Sequence, residues 1–198
     1  MSYAIIGFGK IGQALARAFA RRGIEVSVAT TRDPDSFSAD AARIGPTIRP
    51  KTLAEAVKAD VVFLAVRFDA HRDVATALPD WDGKTVVDAM NLYPAPDDPA
   101  GVSSAVVARA FPGAKLVKGF NHLIAATLAA DPVVEGGHRV VFLSSDDEDA
   151  VGPVATLARQ LGFAPINLGK LNEGGALVHA RGSRWGPLIF QDLTRKEP

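Results

Sequence analysis

Cysteine is absent from the chain, and neither sign of charge is in excess. Without cysteine there are no disulfide bonds, thiolate nucleophiles or cysteine-ligated metal sites, and the composition fits a reducing compartment. The 22 Lys and Arg residues are balanced by 22 Asp and Glu residues. No long-range field therefore favours nucleic acid or an anionic membrane as a partner.

Long hydrophobic runs are missing too. The longest apolar stretches, such as ADVVFLAV at residues 59–66, are far shorter than the roughly 20 residues that cross a bilayer. The first strand begins almost at once, without the charged leader and hydrophobic region of a secretory signal. We therefore expect no membrane association and a cytoplasmic protein, whose 198 residues suit one globular unit.

Two kinds of catalytic motif are not found. No serine stands in a GxSxG elbow, so acyl transfer has no support. No pair of histidines has the HxxxH spacing, so no metal site is expected at any of His71, His122, His138 and His179. Only His122, beside Asn121, is a candidate for activity, and the catalytic residues stay unknown.

What the chain does contain is an alternation of Val- and Ile-rich runs with helical patterns. The strand candidates are YAIIGF, IEVSVAT, DVVFLAV, KTVVDAM, KLVKGF, RVVFLSS and APINLG. Such alternation predicts crossover connections and an α/β fold, a doubly wound parallel sheet covered on both faces. The Pro-rich stretch Asn91–Gly101 is predicted to be a surface loop near the carboxyl edge of that sheet.

Two capping boxes predict helix starts. Thr52 with Glu55 precedes one helical pattern, and Ser145 with Glu148 precedes another that runs to Gly162. In each pair a hydroxyl and a carboxylate three residues apart would satisfy each other's free amides. Pro153 lies inside the second pattern and weakens that prediction.

A glycine-rich turn follows the first apolar run and opens the first helix. Gly7, Gly9 and Gly12 in GFGKIG have the spacing of a dinucleotide fingerprint. Gly7 would make the tight turn, Gly9 would let a pyrophosphate approach the backbone, and Gly12 would let the helix pack closely on the sheet. The helix from Lys10 would aim free amides at the phosphates. The alternative is a turn that merely needs glycines.

The tip of the second strand carries Thr30, Thr31 and Arg32, where a carboxylate would select NAD. Two hydroxyls and a planar guanidinium instead suit a phosphate dianion, so NADP is the predicted cofactor. The alternative is that Arg32 is a solvated arginine beside Asp33, and the choice of cofactor then stays open.

With these residues placed, the sequence resembles the NADP oxidoreductases that use the deazaflavin coenzyme F420. It resembles more loosely the cytosolic reductase domains of the membrane ferric reductases. The similar stretches occur in the family's order over most of the chain, and they are IIGFGKIGQALARAFARRG, ADVVFLAVRFDA, VVDAMNLY, LVKGFNHL, RVVFLSSDDEDAVGPVATLARQLGFAPINLG and GPLIFQDL.

The resemblance implies where NADP would lie in this nucleotide-binding (Rossmann) fold. The pyrophosphate would lie on Phe8, Gly9, Lys10 and Ile11, and the 2'-phosphate on Thr31 and Arg32. The nicotinamide half would pass the ends of the fourth and fifth strands, beside Ala65, Val66, Arg67 and Asn91. Arg67 stands where the family often has proline, which changes the pocket's shape or adds a cation.

Phe120 and Asn121, after the sixth strand, match a position that faces the acceptor in that family. Two alternatives stay open from the residues themselves: Phe120 as a core residue, and Asn121 as the cap of the helix that follows.

The resemblance implies a division of labour along the chain and a reaction. Residues 1–144 would form the NADP-binding core, and residues 145–198 a short α/β extension that completes the sheet and the acceptor pocket. The reaction would be hydride transfer between NADPH and a deazaflavin or flavin-like acceptor, which needs no acid or base from the protein. The alternatives are another small-molecule acceptor (quinone, ferric chelate or imine) and a non-catalytic NADPH sensor. An open sheet edge and a hydrophobic carboxyl terminus leave a homodimer open.

Overall fold

The computed structural model describes residues 1–92, 101–178 and 192–196. Most of the predicted loop Asn91–Gly101, most of the closing GPLIFQDL stretch and His179 lie outside the described residues.

Strands and helices alternate along the described chain, as the apolar runs predicted. The strands are β1 (Tyr3–Ile6), β2 (Val26–Ala29), β3 (Ile48–Pro50), β4 (Val61–Leu64), β5 (Thr85–Asp88), β6 (Lys115–Gly119), β7 (Val133–Val134), β8 (Gly137–Ser144), β9 (Ala164–Asn167) and β10 (Thr194–Arg195). The helices are α1 (Lys10–Arg21), α2 (Asp35–Ile44), α3 (Leu53–Ala56), α4 (His71–Ala75), α5 (Gly101–Ala110), α6 (Ala125–Ala129), α7 (Val151–Gln160) and α8 (Gly174–Leu177). A short 3₁₀ turn covers Phe68–Ala70.

The sheet has the strand order of a doubly wound nucleotide-binding fold. Its main path runs β3-β2-β1-β4-β5-β6, and each neighbouring pair in it is parallel. β8 then adds antiparallel to β6, and β9 pairs parallel with β8. The predicted α/β class with a mostly parallel sheet is confirmed. The order reverses at β1 and β4, where ligands of such sheets collect beyond the carboxyl ends of the strands.

The short strand β3 is not among the predicted runs. It has one buried residue, Ile48, followed by exposed Arg49 and by Pro50. Proline is tolerated there because β3 is the edge strand of the sheet.

Both faces of the central strands are apolar because helices cover both. Ile5 packs on one face with Leu15 and Phe19 of α1. Ala4 and Ile6 face the opposite layer, in the same cluster as Trp81 and Phe111. Across the described ranges, none of the helices reaches the length and apolar character that a bilayer crossing requires.

One of the two predicted capping boxes is confirmed. The Thr52 hydroxyl accepts from the Glu55 amide while the Glu55 carboxylate accepts from the Thr52 amide, so α3 begins as predicted. The second box is wrong, because α7 begins only at Val151. The Ser145 hydroxyl instead donates to Leu116 O (2.6 Å) and accepts from the Asp147 amide. Pro153 consequently lies in the first turn of α7, where no helical hydrogen bond is lost.

Candidate cofactor and acceptor site

The glycine turn after β1 is held tightly against β2, β4 and its own helix. The Gly7 amide donates to Ala29 O (2.8 Å), and Gly7 has φ +102°. A Cβ on Gly7 would lie 2.4 Å from Ala65 O, and one on Gly12 would lie 1.9 Å from Gly7 O. Both positions therefore require glycine for close backbone contact.

Gly9 differs from the other two glycines of the turn. A Cβ built on it meets no atom within 4 Å, so it faces open space. It is also the N-cap of α1 and makes no side-chain cap hydrogen bond. Since the Gln13 amide already bonds to Gly9 O (2.9 Å), the amides of residues 9–12 are those left free at the helix start. Free amides beside open space are what a pyrophosphate needs.

The structure also places the three other predicted residues around this helix start, Phe8, Lys10 and Ile11. Phe8 is buried and its ring packs on Phe37 of α2, with the centroids 5.5 Å apart. The Phe8 carbonyl accepts from the Gln13 side-chain amide at 3.1 Å. Lys10 is exposed and Ile11 is half-buried. At these two positions the main-chain amides, rather than the side chains, would contact a phosphate.

The Thr-Thr-Arg tip follows β2 directly, beside the same helix start. The Arg32 amide donates to Thr30 Oγ1 (2.9 Å), which leaves the Thr30 hydroxyl proton available. Arg32 is exposed, and its guanidinium carbon lies 5.7 Å from the Phe37 ring centroid. Among the ion pairs of the described residues, none involves Arg32. The Arg32 guanidinium is therefore available to bind an anion at the tip, where a 2'-phosphate would lie.

At the exit of β4, Ala65 and Val66 touch the glycine turn and Arg67 does not. The Ala65 amide donates to Ile6 O (2.8 Å), and both residues are half-buried. The Arg67 side chain is 87% exposed and binds the Asp69 carboxylate through Nε and Nη2 (3.2 and 3.1 Å). These hydrogen bonds lower the pKa of Asp69 below its ordinary value. Arg67 thus already has a partner of opposite charge.

Asn91 and Asn121 join the exits of β5 and β6. The Asn91 Nδ2 donates to the main-chain oxygen of Asn121 (2.8 Å), and the Asn121 Nδ2 donates to Asn91 Oδ1 (3.1 Å). The Asn121 Nδ2 also donates to Val178 O (3.2 Å). Asn121 is 3% exposed, so it is enclosed rather than presented to solvent. Helix α6 begins after Ile124 without a side-chain cap, which removes the helix-cap alternative.

The structure places Phe120 in the core. Its side chain is fully buried and packs edge-on against Phe63 and Phe163, with ring centroids 5.6 and 6.0 Å apart. Its backbone has φ +61°, and this turn takes the chain out of β6 toward Asn121. Phe120 is therefore a core residue, which was one of the two alternatives for it. Asn121, by contrast, contacts another predicted site residue, Asn91.

His122 is an uncharged packing residue at neutral pH. Burial lowers its pKa to about 4. Its Nε2 lies 3.2 Å from Val140 O, and its ring packs on Phe142 at 4.9 Å. A neutral ring enclosed in this way is not placed to supply a proton at pH 7.

Comparison with known proteins finds a related family. Residues 2–92 match the family described as NADP oxidoreductase, coenzyme F420-dependent. The matched segment is a little under half of the chain and contains the glycine turn, the Thr-Thr-Arg tip and the exits of β4 and β5. The description of that family names NADP as the dinucleotide of an oxidoreductase.

Three relatives indicate how widely the likeness extends. Metalloreductase STEAP2 from Mus musculus is 30% identical over 177 residues, which cover 85% of this chain but 33% of that protein. The chain thus spans about a third of the metalloreductase's length. A hypothetical protein, SMa0349 from Sinorhizobium meliloti, is 41% identical with a TM-score of 0.88, over 99% of this chain and 96% of that one. A putative F420-dependent NADP-reductase from Arthrobacter sp. FB24 is 29% identical with a TM-score of 0.71, over 86% of each chain.

The residues present at this edge of the sheet fit NADP. The pyrophosphate would lie in the open space at Gly9, against the free amides of residues 9–12. The 2'-phosphate would lie against the Arg32 guanidinium, which forms no ion pair among the described residues. All lie along the carboxyl edge of β1 and β2. The contact between Gly7 and the Ala65 carbonyl brings the exit of β4 to the same edge, where the nicotinamide half would follow.

A buried ion pair behind this edge was missed from the sequence. Lys118 of β6 binds Asp88 of β5 at 3.1 Å, with the side chains 4% and 0% exposed. The two residues face each other in the parallel register. In the sequence, one ionisable residue stands inside each of two apolar runs, VVDAM and LVKGF. This pattern predicts an ion pair only once the two strands are known to be neighbours in the sheet.

Proposed function

We propose that this protein transfers a hydride from NADPH to a deazaflavin or flavin-like ring. The observation that carries the proposal is the continuity of one edge: phosphate turn, Thr-Thr-Arg tip and the exits of β4 and β5. NADPH supplies the hydride. The chain's own groups bind the dinucleotide, hold its nicotinamide end beside Ala65, Val66 and Asn91, and leave room for a second flat ring.

Such chemistry asks little of the protein. Solvent would supply the proton that completes the reduced acceptor, while Ala65, Val66 and Asn91 would hold the nicotinamide end in line with the acceptor ring. A ring that takes hydride directly needs alignment and exclusion of water rather than a protein acid. The enclosed, neutral His122 agrees with that requirement.

Two findings support the deazaflavin over other acceptors. The family matched by residues 2–92 is described as coenzyme F420-dependent. The Arthrobacter protein, similar over most of both chains, is described as a putative F420-dependent NADP-reductase. A second candidate is reduction of a metal chelate, favoured by the 30% identity to the metalloreductase.

The acceptor can be identified from NADPH consumption. Purified protein is mixed with NADPH and, in separate reactions, 8-hydroxy-5-deazaflavin, FMN, a ferric chelate, a quinone and a cyclic imine. We expect the deazaflavin to give the highest kcat/KM. A ferric chelate reduced without any flavin would favour the second candidate, and tight NADPH binding without turnover of any acceptor would favour a sensor.

The carboxyl-terminal part is proposed to complete the acceptor side. Two contacts support a role for residues 145–198 beside the core at residues 1–144: β9 pairs with β8, and Val178 O accepts from Asn121. The cytoplasmic location and the homodimer belong to this proposal too. Light scattering on the eluted protein tests the homodimer, and a monomeric mass would remove it.

Asn121→Ala is expected to reduce turnover while NADPH affinity stays near normal. The substitution removes the amide that donates to Asn91 Oδ1 and to Val178 O. Asn91 therefore loses one of the two hydrogen bonds that join it to Asn121. Leaving buried acceptors without a donor should also cost about 1–3 kcal/mol of stability. Kinetics, NADPH titration and melting of one preparation test this.

Asn172→Ala, at an exposed asparagine, serves as the matched control. Unchanged turnover of Asn121→Ala together with a lowered melting temperature would remove Asn121 from the acceptor site.

A further inference from the structure

Lys118 holds more than a carboxylate. Its Nζ donates both to Asp88 Oδ2 (3.1 Å) and to the main-chain carbonyl of Met90. Asp88 Oδ1 in turn accepts from the Met90 amide (2.9 Å). The peptide groups on both sides of Met90 are therefore tied to this one ion pair. From the other direction, the Ser104 hydroxyl of α5 reaches Asp88 Oδ2 at 3.4 Å.

The residue that follows Met90 is Asn91. Asn91 is tied to Asn121 by the reciprocal amide bonds, and Asn121 follows β6 by two residues. The exits of β5 and β6 are thus linked twice, once by charge at Asp88 and Lys118 and once by the two amides. A shift of Met90 would be passed directly to Asn91.

Stability alone does not explain the pair. Removing two charges from water costs several kcal/mol per ion, and apolar residues of similar volume often stabilise a protein as well or better. Val86 and Leu116, on the same strands and in the same cluster, show that this layer accepts apolar residues. What an apolar pair would not do is donate to the Met90 carbonyl.

We propose that Lys118 is a positioning residue for hydride transfer: through Met90 it fixes Asn91, and with it the nicotinamide end of the site. The inference rests on the proposed function. Lys118 is buried behind the site and bonds to Asp88 and Met90, so it would act on the distance and angle between cofactor and acceptor only through Asn91. A misplacement of about 1 Å can cost on the order of a hundredfold in rate.

The test compares Lys118→Met with the double variant Asp88→Asn/Lys118→Met. The single variant leaves Asp88 buried without its counterion and should melt much lower than the parent. The double variant removes both charges, and its asparagine still offers an oxygen to the Met90 amide. We expect its melting temperature to recover, its kcat with the best acceptor to stay about tenfold or more below the parent, and its NADPH Kd to change little.

Lys84→Met is the matched control. Lys84 also donates to two main-chain oxygens, those of Lys58 and Ala59 (2.9 and 3.0 Å), but at the amino end of β5, away from the site. It should lower the melting temperature and leave kcat unchanged. Recovery of kcat together with stability in the double variant would overturn the proposal, because the pair would then be structural only.

A readout without turnover separates this inference from the proposed function. In isotope-labelled protein, the Asn91 and Asn121 side-chain amides give NMR signals that an Asn91→Asp variant assigns. We expect these amides to exchange with solvent faster in the double variant than in Lys84→Met. Equal exchange would overturn the positioning role, whereas failure of the parent to reduce any acceptor would count against the proposed function alone.

Discussion

Gly9→Val is expected to abolish NADPH binding in a protein that still folds. The valine would occupy the open space at the start of α1, where a pyrophosphate would approach the free amides. Losing two charge-assisted hydrogen bonds of about 1.5–3 kcal/mol each would raise the Kd more than about a hundredfold. Calorimetric titration with NADPH, with circular dichroism on the same sample, measures both effects.

Folding should survive because nothing lies within 4 Å of the added Cβ and Gly9 has φ −77°. The exchange of a glycine N-cap for valine should cost less than about 1 kcal/mol. Gly152→Val is the matched control, since Gly152 of α7 is exposed and its Cβ also meets no atom within 4 Å. NADPH affinity should be unchanged there.

Gly12→Val gives the opposite separation of effects. Its Cβ would lie 1.9 Å from Gly7 O, so the helix would have to move away from the turn and the protein itself should lose stability. Parental NADPH affinity in a folded Gly9→Val protein would mean that this turn does not hold the phosphates.

The phosphate side of the site was the part most open to prediction from sequence, because each contact there is local. The tight turn at Gly7, the close approach at Gly12 and the start of α1 all arise within six residues of one another. Glycine spacing after an apolar run encodes these features directly. The α/β class and the mostly parallel sheet followed from the alternation of apolar runs and helices.

The acceptor side was harder because its contacts join distant segments. Asn121 bonds to Asn91, 30 residues earlier, and to Val178, 57 residues later. Sequence position suggested an exposed amide at the sheet edge or a helix cap; in the structure the Asn121 amide lies at that edge but is enclosed, and it caps no helix. The pairing of Lys118 with Asp88 likewise depends on the register of two strands, which periodicity alone does not give.

The wrong capping box has a similar cause. Ser145 and Glu148 have the right spacing, but the Ser145 hydroxyl bonds across the sheet to Leu116 O. That contact lies 29 residues away in sequence. The Ser145 hydroxyl therefore bonds to a residue on another strand instead of capping a helix, as the local pattern had predicted.

Arg32→Ala is expected to weaken NADPH much more than NADH. The Arg32 guanidinium has no carboxylate partner among the described ion pairs, so its charge is available to a 2'-phosphate. Loss of a hydrogen bond to a charged group costs about 1.5–3 kcal/mol, or roughly 10- to 150-fold in Kd. NADH has no phosphate at that position, and its affinity should change by less than about threefold. Titration of both cofactors against both proteins gives the ratio.

The size of the increase in the NADPH Kd depends on which hydrogen bonds to the 2'-phosphate remain in Arg32→Ala. The Thr30 hydroxyl retains a proton to donate, because its oxygen accepts from the Arg32 amide, a main-chain contact that alanine preserves. Arg43→Ala is the matched control, since Arg43 is an exposed arginine of α2 that is already ion-paired with Asp40. Raising the salt concentration should narrow the gap between parent and Arg32→Ala, because the charge contact is exposed and therefore screened. Equal losses for NADPH and NADH would instead show that Arg32 contacts a part common to both dinucleotides, and selection of the phosphate would then pass to Thr30 and Thr31.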